Sequence, residues 1–201
     1  MPRKPLELLK VIVANGPAPV DSALVLDALW PEAEGGVARA SFDMAVMRLR
    51  RLLRRDDALR LEGGRIMLHR GCAWVDAWSF LSGASDDYPG PLFGTDSTQA
   101  WCASARERLH QRFLQRVQVR ASRCERTGDL DAAVAAYEAG LRQDPLAEEL
   151  YRGLIRCHRA AGRQGEAVRA LRRCREQLSI VLGVAPSPAT IALLHHVAPS
   201  R

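Results

Sequence analysis

The stretch SFDMAVMRLRRLL, residues 41–53, decides how the first part of the chain is read. Phe42, Val46, Leu49 and Leu53 recur at helical spacing, which puts them on one face and predicts that this face is buried. Arg48, Arg51 and Arg55 project opposite that face or flank it. Extended over 37–54, the helix predicts a basic outer stripe. Residues 38–55 set six arginines (Arg39, Arg48, Arg50, Arg51, Arg54 and Arg55) against a single acid, Asp43. The whole chain of 201 residues is only moderately basic, with 29 Lys and Arg against 23 Asp and Glu, a net charge of +6. Position therefore matters more than the sum. Lys4 and Lys10 are the only lysines, so arginine elsewhere is discounted as the composition of a GC-rich genome. An amphipathic helix with several exposed arginines fits the major groove of DNA, roughly 12 Å wide, where arginine pairs bidentately with guanine or neutralises phosphate.

The flanking sequence supplies the rest of that domain. Leu6, Leu8, Leu9, Ile12 and Val13 predict a first helix, ended by Asn15-Gly16-Pro17. A second starts at Asp21 or Ser22, either able to cap, and runs through Leu24, Leu26, Ala28 and Leu29 to Trp30-Pro31. After the Arg-bearing helix, ALRLEGGRIML (58–68) reads as a hairpin around Glu62-Gly63-Gly64-Arg65. CAWVDAWSF (72–80) leads out of the domain. LSGASDDYPGPLFGTDST (81–98), rich in turn residues, marks a connector. Phe80, Tyr88, Leu92, Phe93 and Trp101 interleave with those turns and predict a connector packed on its neighbour. The expected divisions are residues 1–80, a connector 81–98, and a second domain 99–201.

The second domain reads as helical almost throughout, with helices over 99–127, 130–143, 147–161, 164–182 and 187–197. Trp101, Ala105, Leu109, Phe113, Val117 and Ala121 recur every four residues, with Leu114 and Cys124 widening the stripe. A shift of 34 then superposes Gly128 on Gly162, Ala133 on Ala167, Val134 on Val168, Ala136 on Ala170 and Tyr137 on Leu171. This is the tetratricopeptide period, in which small residues mark close helix approach. Gly183 suits a left-handed helix end, and Ser187 with Pro188 opens the last helix. The predicted fold class is mainly α: a winged helix-turn-helix with a short β-hairpin, followed by a tetratricopeptide-like α-helical repeat domain.

Catalysis has no visible home. G-x-x-x-x-G-K-[ST], H-E-x-x-H and G-x-S-x-G are all absent from the sequence, and His195-His196 are adjacent and point to different helix faces. His69, His110 and His158 are single. Asp86-Asp87 and Glu148-Glu149 are explained by solvation and by a helix first turn. The five cysteines, Cys72, Cys102, Cys124, Cys157 and Cys174, form an odd set without C-x-x-C, which argues against a disulfide framework and a zinc knuckle. They read as apolar side chains in a reducing compartment. No apolar run reaches the roughly 18 to 20 residues of a membrane span, and the N-terminus lacks a small-residue cleavage site. The expectations are a cytoplasmic chain with no cofactor and no metal.

Ser41, Phe42, Asp43, Val46, Met47, Arg48, Leu49 and Arg50 resemble the recognition helix of the OmpR/PhoB-type winged-helix family. LDALWP (26–31) is similar to the end of the second helix in antibiotic-regulatory-type activators. GDLDAAVAAYEAGLRQDPLAEELYRGLIRCHRAAGRQGEAVRALRRCREQLSIVLGVAPSPAT (128–190) is similar to the bacterial transcriptional activator domain that follows the winged helix in them, and LGVAPSPAT carries the most specific signature. The resemblance implies that Arg48 and Arg50 read bases or phosphates and that Ser41 stands where a Thr meets phosphate. It implies that Arg65 serves the wing, and that contacts are lost at Met47, often Arg, and Ala45, which can be a phosphate-binding His. Helix geometry alone adds Arg39, Arg51 and Arg54 as phosphate partners. The family sets a small antiparallel sheet before the first helix, yet here that helix begins by Leu6. The chain is accordingly expected to begin inside the winged-helix domain of a longer regulator, or to be an abbreviated version.

The function implied is a transcriptional regulator that binds double-stranded DNA. Its repeat domain then contacts RNA polymerase, a sensory domain or a second copy in a homodimer, with no membrane. The rival reading is an interaction module whose winged helix no longer binds DNA, supported by Met47 and Ala45. A small enzyme comes third. Arg152, Arg156, Arg159 and Arg163 form a further basic stripe, read first as a solvated face.

Overall fold

Pro5 lies in the first turn of the first helix, where a missing N–H breaks no intrahelical bond, and α1 runs from Arg3 to Asn15. The computed structural model describes residues 3–94 and 99–195. The end of the connector (95–98) and the predicted last-helix residues 196 and 197 lie outside them. The chain forms two compact units, residues 1–110 and 111–201.

In the first unit, a two-residue strand β1 (Val20–Asp21) leads into α2 (Ser22–Leu29). The Asp21 carboxylate accepts the Ala23 N–H at 2.8 Å, so Asp21 is the cap. Lys4 Nζ donates to the Leu29 carbonyl at 2.6 Å and closes the other end of α2. The Arg-bearing helix α3 (Gly35–Leu53) follows, then β2 (Leu59–Glu62) and β3 (Arg65–Leu68). Gly63 and Gly64 sit at φ +56° and +76°, the left-handed pair that a two-residue hairpin turn requires. The strands form one antiparallel sheet in the order β1-β3-β2, with Val20 opposite Ile66 and Leu59 opposite Leu68. β1 was not legible in the sequence, because two residues carry no alternation.

Leu8, Val11 and Ile12 of α1, Val25 and Leu29 of α2, Phe42, Val46 and Leu49 of α3, and Leu59, Ile66 and Leu68 of the hairpin form the core. The expected apolar faces are rotated in two places. Leu6 and Leu24 are each 46% exposed while their neighbours Pro5 and Val25 are buried, since helical neighbours one position apart compete for one face and packing decides between them. Leu53 also departs from expectation at 37% exposed. It lies in the last turn, before Arg54 ends the helix in the left-handed region at φ 54°.

CAWVDAWSF does more than lead out. Asp76–Ser82 is a further helix, α4, whose Trp78 Nε1 donates to the Val13 carbonyl at 2.8 Å. The connector behind it is packed, as its aromatic residues predict. Tyr88 tilts on Phe80 at 5.5 Å, and Arg106 donates to the carbonyls of Leu92 and Gly94 at 3.0 and 2.6 Å. Helix α5 (Ala103–Arg126) passes from the first unit into the second.

The second unit continues with α6 (Leu130–Gln143), α7 (Glu148–Ala160), α8 (Gln164–Leu182) and α9 (Pro188–His195). Its repeat is visible bond by bond. Gly128 N donates to Glu125 O at 3.1 Å and Leu130 N to Gly128 O at 3.0 Å; their partners 34 residues on, Gly162 to Arg159 and Gln164 to Gly162, repeat this at 3.0 and 3.1 Å. Ala133 and Ala167 are both fully buried, and Ala136 and Ala170 are both 6% exposed. The paired glycines have a different reason from the one expected. Gly128 and Gly162 sit at φ +77° and +71° in open space, so backbone conformation selects them. Close approach falls on Gly153, where an added Cβ meets the Tyr137 ring at 2.2 Å. Among the described residues no helix is long and apolar enough to cross a membrane.

Candidate functional site

Burial divides α3 into two faces. Ala38, Phe42, Ala45, Val46 and Leu49 turn into the core. Val37, Ala40, Met44, Met47, Arg48 and Arg51 are exposed, with Ser41 half-buried between them. The helix opens after Glu34; the outside of its N-terminal half is apolar apart from the Arg39–Asp43 pair, whereas its C-terminal half carries the unpaired arginines. Arginines at the C-terminal end complement the partial negative charge of the helix dipole. An open trough of about 560 Å³ runs along the first half, lined by Lys4, Trp30, Val37, Ser41, Met44 and Arg48.

The six arginines separate by what they already hold. Arg50 is half-buried, and its Nη2 donates to the Leu59 carbonyl at 2.6 Å. It ties α3 to the start of the hairpin and does not reach outward. Arg39 pairs with Asp43 at 3.4 Å and lies over the Phe42 ring at 5.3 Å. Arg55 grips Asp57 through two hydrogen bonds of 3.2 and 3.3 Å. Arg48, Arg51 and Arg54 are exposed and, among the described residues, hold no side-chain partner. They recur every third residue over the last turns of α3 and its C-cap.

Arg65 is exposed at the hairpin tip, directly after the two glycines. Its cross-strand neighbours are Glu62 on β2 and Asp21 on β1, so this tip cation stands in register between two carboxylate residues. The structure thus places Arg39, Ser41, Arg48, Arg51, Arg54 and Arg65 at the surface or its edge and turns Arg50 inward. Ala45 is 3% exposed, so an outward contact there is excluded by the direction of its side chain. Val37 and Met44, 61% and 45% exposed, were missed as surface features. Their helical spacing from Arg48 and Arg51 was the available signal.

In the second unit the stripe from Arg152 to Arg163 is largely consumed internally. Arg152 lies 3.8 Å from Glu148, Arg163 pairs with Asp131, and Arg159 donates to the Leu193 carbonyl. Glu148 also anchors α9. Its carboxylate accepts the Ser187 N–H at 2.8 Å, the Ser187 hydroxyl at 2.6 Å and the Thr190 hydroxyl. Burial raises the Glu148 pKa, yet these hydrogen bonds, with Arg152, outweigh it and hold the carboxyl below its ordinary value. The signature segment at 182–190 therefore owes its hydroxyl residues to a carboxylate on α7. Tyr137, fully buried, donates to Glu125 at 2.7 Å, and burial first and Glu125 second push its pKa up to about 12. These are structural bonds of a repeat core.

Residues 44–198 match the family described as Bacterial transcriptional activator domain. The match begins inside α3 and takes in the hairpin, the connector and the helices of the second unit. The chain is also similar to the solved structure of Mycobacterium tuberculosis EmbR in complex with low affinity phosphopeptide, at 24% identity and a TM-score of 0.65. That likeness covers 96% of this chain and 58% of the other, and at this identity it shows the fold alone. No curated protein matches the chain by sequence.

Proposed function

The chain belongs to the Bacterial transcriptional activator domain family, and from that premise we propose that it is a regulator of transcription whose first unit binds double-stranded DNA. The observation that carries this reading is the run of three unengaged guanidinium groups, Arg48, Arg51 and Arg54, on the outer end of α3. Free cations on a helix that follows a shorter helix suit phosphate neutralisation and base-edge pairing in the major groove. Ser41 and Arg39 extend the contact toward the start of α3, and Arg65 serves the adjacent groove from the wing. Arg50 supports the interface by fixing the hairpin to α3. Met44 and Val37 add apolar surface suited to thymine methyl groups.

The family of the winged helix is read as OmpR/PhoB-type. Its domain spans 1–80 and the connector 81–98. The tetratricopeptide-like activator domain spans 99–201 and contacts protein: RNA polymerase, a sensory domain or a second copy. The chain acts in the cytoplasm, and its role is regulatory rather than enzymatic.

Selection of bound DNA from a random pool, followed by gel retardation of the enriched sequence, tests the reading. Wild type retards the DNA at low salt and Arg48→Glu does not, with its helical circular dichroism unchanged. Absence of wild-type binding even near 50 mM salt overturns the reading. Two observations favour a second reading: Glu62 and Asp21 in register with Arg65, and exposed Val37 and Met44 toward the start of α3, suit a protein partner. In that case the first unit is an interaction module without DNA affinity.

A further inference from the structure

Three side chains that flank the hairpin's open end form a group the DNA reading does not use. Cys72 Sγ lies 3.1 Å from His69 Nδ1 and 3.4 Å from Asp57 Oδ2, and His69 Nδ1 lies 3.7 Å from Asp57 Oδ2. In a tetrahedral zinc site, metal bonds of about 2.3 Å to sulfur and about 2.0 Å to nitrogen and oxygen set neighbouring ligand atoms roughly 3.3–3.6 Å apart. The observed sides of 3.1, 3.4 and 3.7 Å straddle that range, within a few tenths of an ångström of it. We propose that Asp57, His69 and Cys72 bind one divalent transition-metal ion of the zinc class at the base of the hairpin.

The backbone holds the three donors independently of any ion. Asp57 lies in the single 3₁₀ turn (Asp56–Ala58) between α3 and β2, while His69 and Cys72 follow β3. The Leu59–Leu68 pair closes the ladder, and His69 N donates to the Ala58 carbonyl at 2.8 Å just beyond it. Cys72 N then donates to the His69 carbonyl at 2.9 Å, folding the thiol back over the ring. Donors from both sides of the ladder thus converge, and a metal cross-links the chain before β2 to the chain after β3.

The donor set selects the ion. Thiolate and imidazole favour zinc, cobalt or copper over magnesium or calcium, which require oxygen. Asp57 is about half exposed, so the fourth corner opens to water. The arrangement is unsuited to nucleophilic relay. Both Cys72 and Asp57 lie on Nδ1, and the other ring nitrogen faces Arg60 Nη2 at 3.1 Å, whereas a triad needs the nucleophile and the carboxylate on opposite ring nitrogens. Binding at Nδ1 leaves the ring proton on Nε2, so Arg60 releases the ring, and the Cys72 thiol gives its proton to solvent. Arg60 and Arg55 are both exposed and free to turn outward.

The test uses the full chain without an affinity tag, reduced, stripped with a chelator and titrated with Co²⁺. The expected result is a thiolate-to-cobalt charge-transfer band with tetrahedral d–d absorption, saturating at about one equivalent and displaced by Zn²⁺. Cys72→Ser removes the charge-transfer band, and His69→Ala or Asp57→Ala weakens binding about tenfold or more. Cys124→Ser, altering the other half-buried thiol, leaves it unchanged. A wild-type titration without a saturating charge-transfer band overturns the proposal, whatever the variants do. So does a band that survives Cys72→Ser.

Discussion

At the scale of single residues, the arginines of α3 show how one side-chain type divides into different tasks. Among the described residues Arg48 holds no side-chain partner, whereas Arg50 is committed to the Leu59 carbonyl. Arg50→Ala is therefore expected to destabilise the first unit by about 1–2 kcal/mol, because it orphans a carbonyl and removes half-buried packing. Arg51→Ala is expected to stay within about 0.5 kcal/mol; urea unfolding of the two variants makes the comparison. Arg54 is sharper still, since a non-glycine residue at φ 54° is strained. Arg54→Gly is expected to raise stability by roughly 0.5–1 kcal/mol while weakening DNA retardation. Glycines separate in the same way. Gly153→Ala drives a methyl into the ring of Tyr137, which is fully buried and bonded to Glu125, and is expected to cost roughly 1–3 kcal/mol or to prevent folding. The spacing of Phe42, Val46 and Leu49 made the inner face legible in the sequence. Which arginine turned inward was not, because positions 48 and 50 look alike until the hairpin packs beside one of them.

At the scale of elements, α9 is held to α7 by a carboxylate that must stay ionised. The folded-state pKa of Glu148 is depressed. Its contribution is therefore complete above the ordinary glutamate range and is lost as pH falls through the lower folded value. Thermal unfolding followed between neutral pH and about pH 3 is expected to show a smaller acid loss in Glu148→Gln than in wild type. Thr190→Val, which removes one hydroxyl donor, is expected to cost about 1 kcal/mol at neutral pH. The helices themselves were legible from periodicity and caps: Asp21 opens α2, Gly183 at φ +69° closes α8, and Ser187 precedes Pro188 at the start of α9. Two elements were not. β1 exists only because β3 offers it a partner, and α4, at seven residues, is too short for its buried Ala77 and Phe80 to mark a helical period. Its place depends on Trp78 finding the end of α1.

At the scale of the whole molecule, the net charge of +6 is a poor guide to affinity, because much of the arginine is spent inside the two units. Arg163 on Asp131 and Arg173 on Glu138 at 2.9 Å are examples. In the proposed DNA-binding role, the exposed cations of α3 and the wing set the electrostatic footprint instead. Three to five phosphate contacts from Arg48, Arg51, Arg54, Arg39 and Arg65 predict a plot of log affinity against log salt with a slope of about −3 to −4.5. A slope near −10 means that the second unit also contacts DNA; fluorescence anisotropy across salt concentrations reads it. By itself the sequence determined the mainly helical class, the hairpin and the 34-residue repeat. Each rests on local spacing, turn glycines or caps, which act through near neighbours in the chain. Only the tertiary structure decided that Arg50 faces inward, that Gly153 must have no side chain, that Glu148 collects Ser187 and Thr190, and that Asp57, His69 and Cys72 converge. Those facts depend on residues far apart in sequence meeting in space, and helical or strand periodicity carries no record of such meetings.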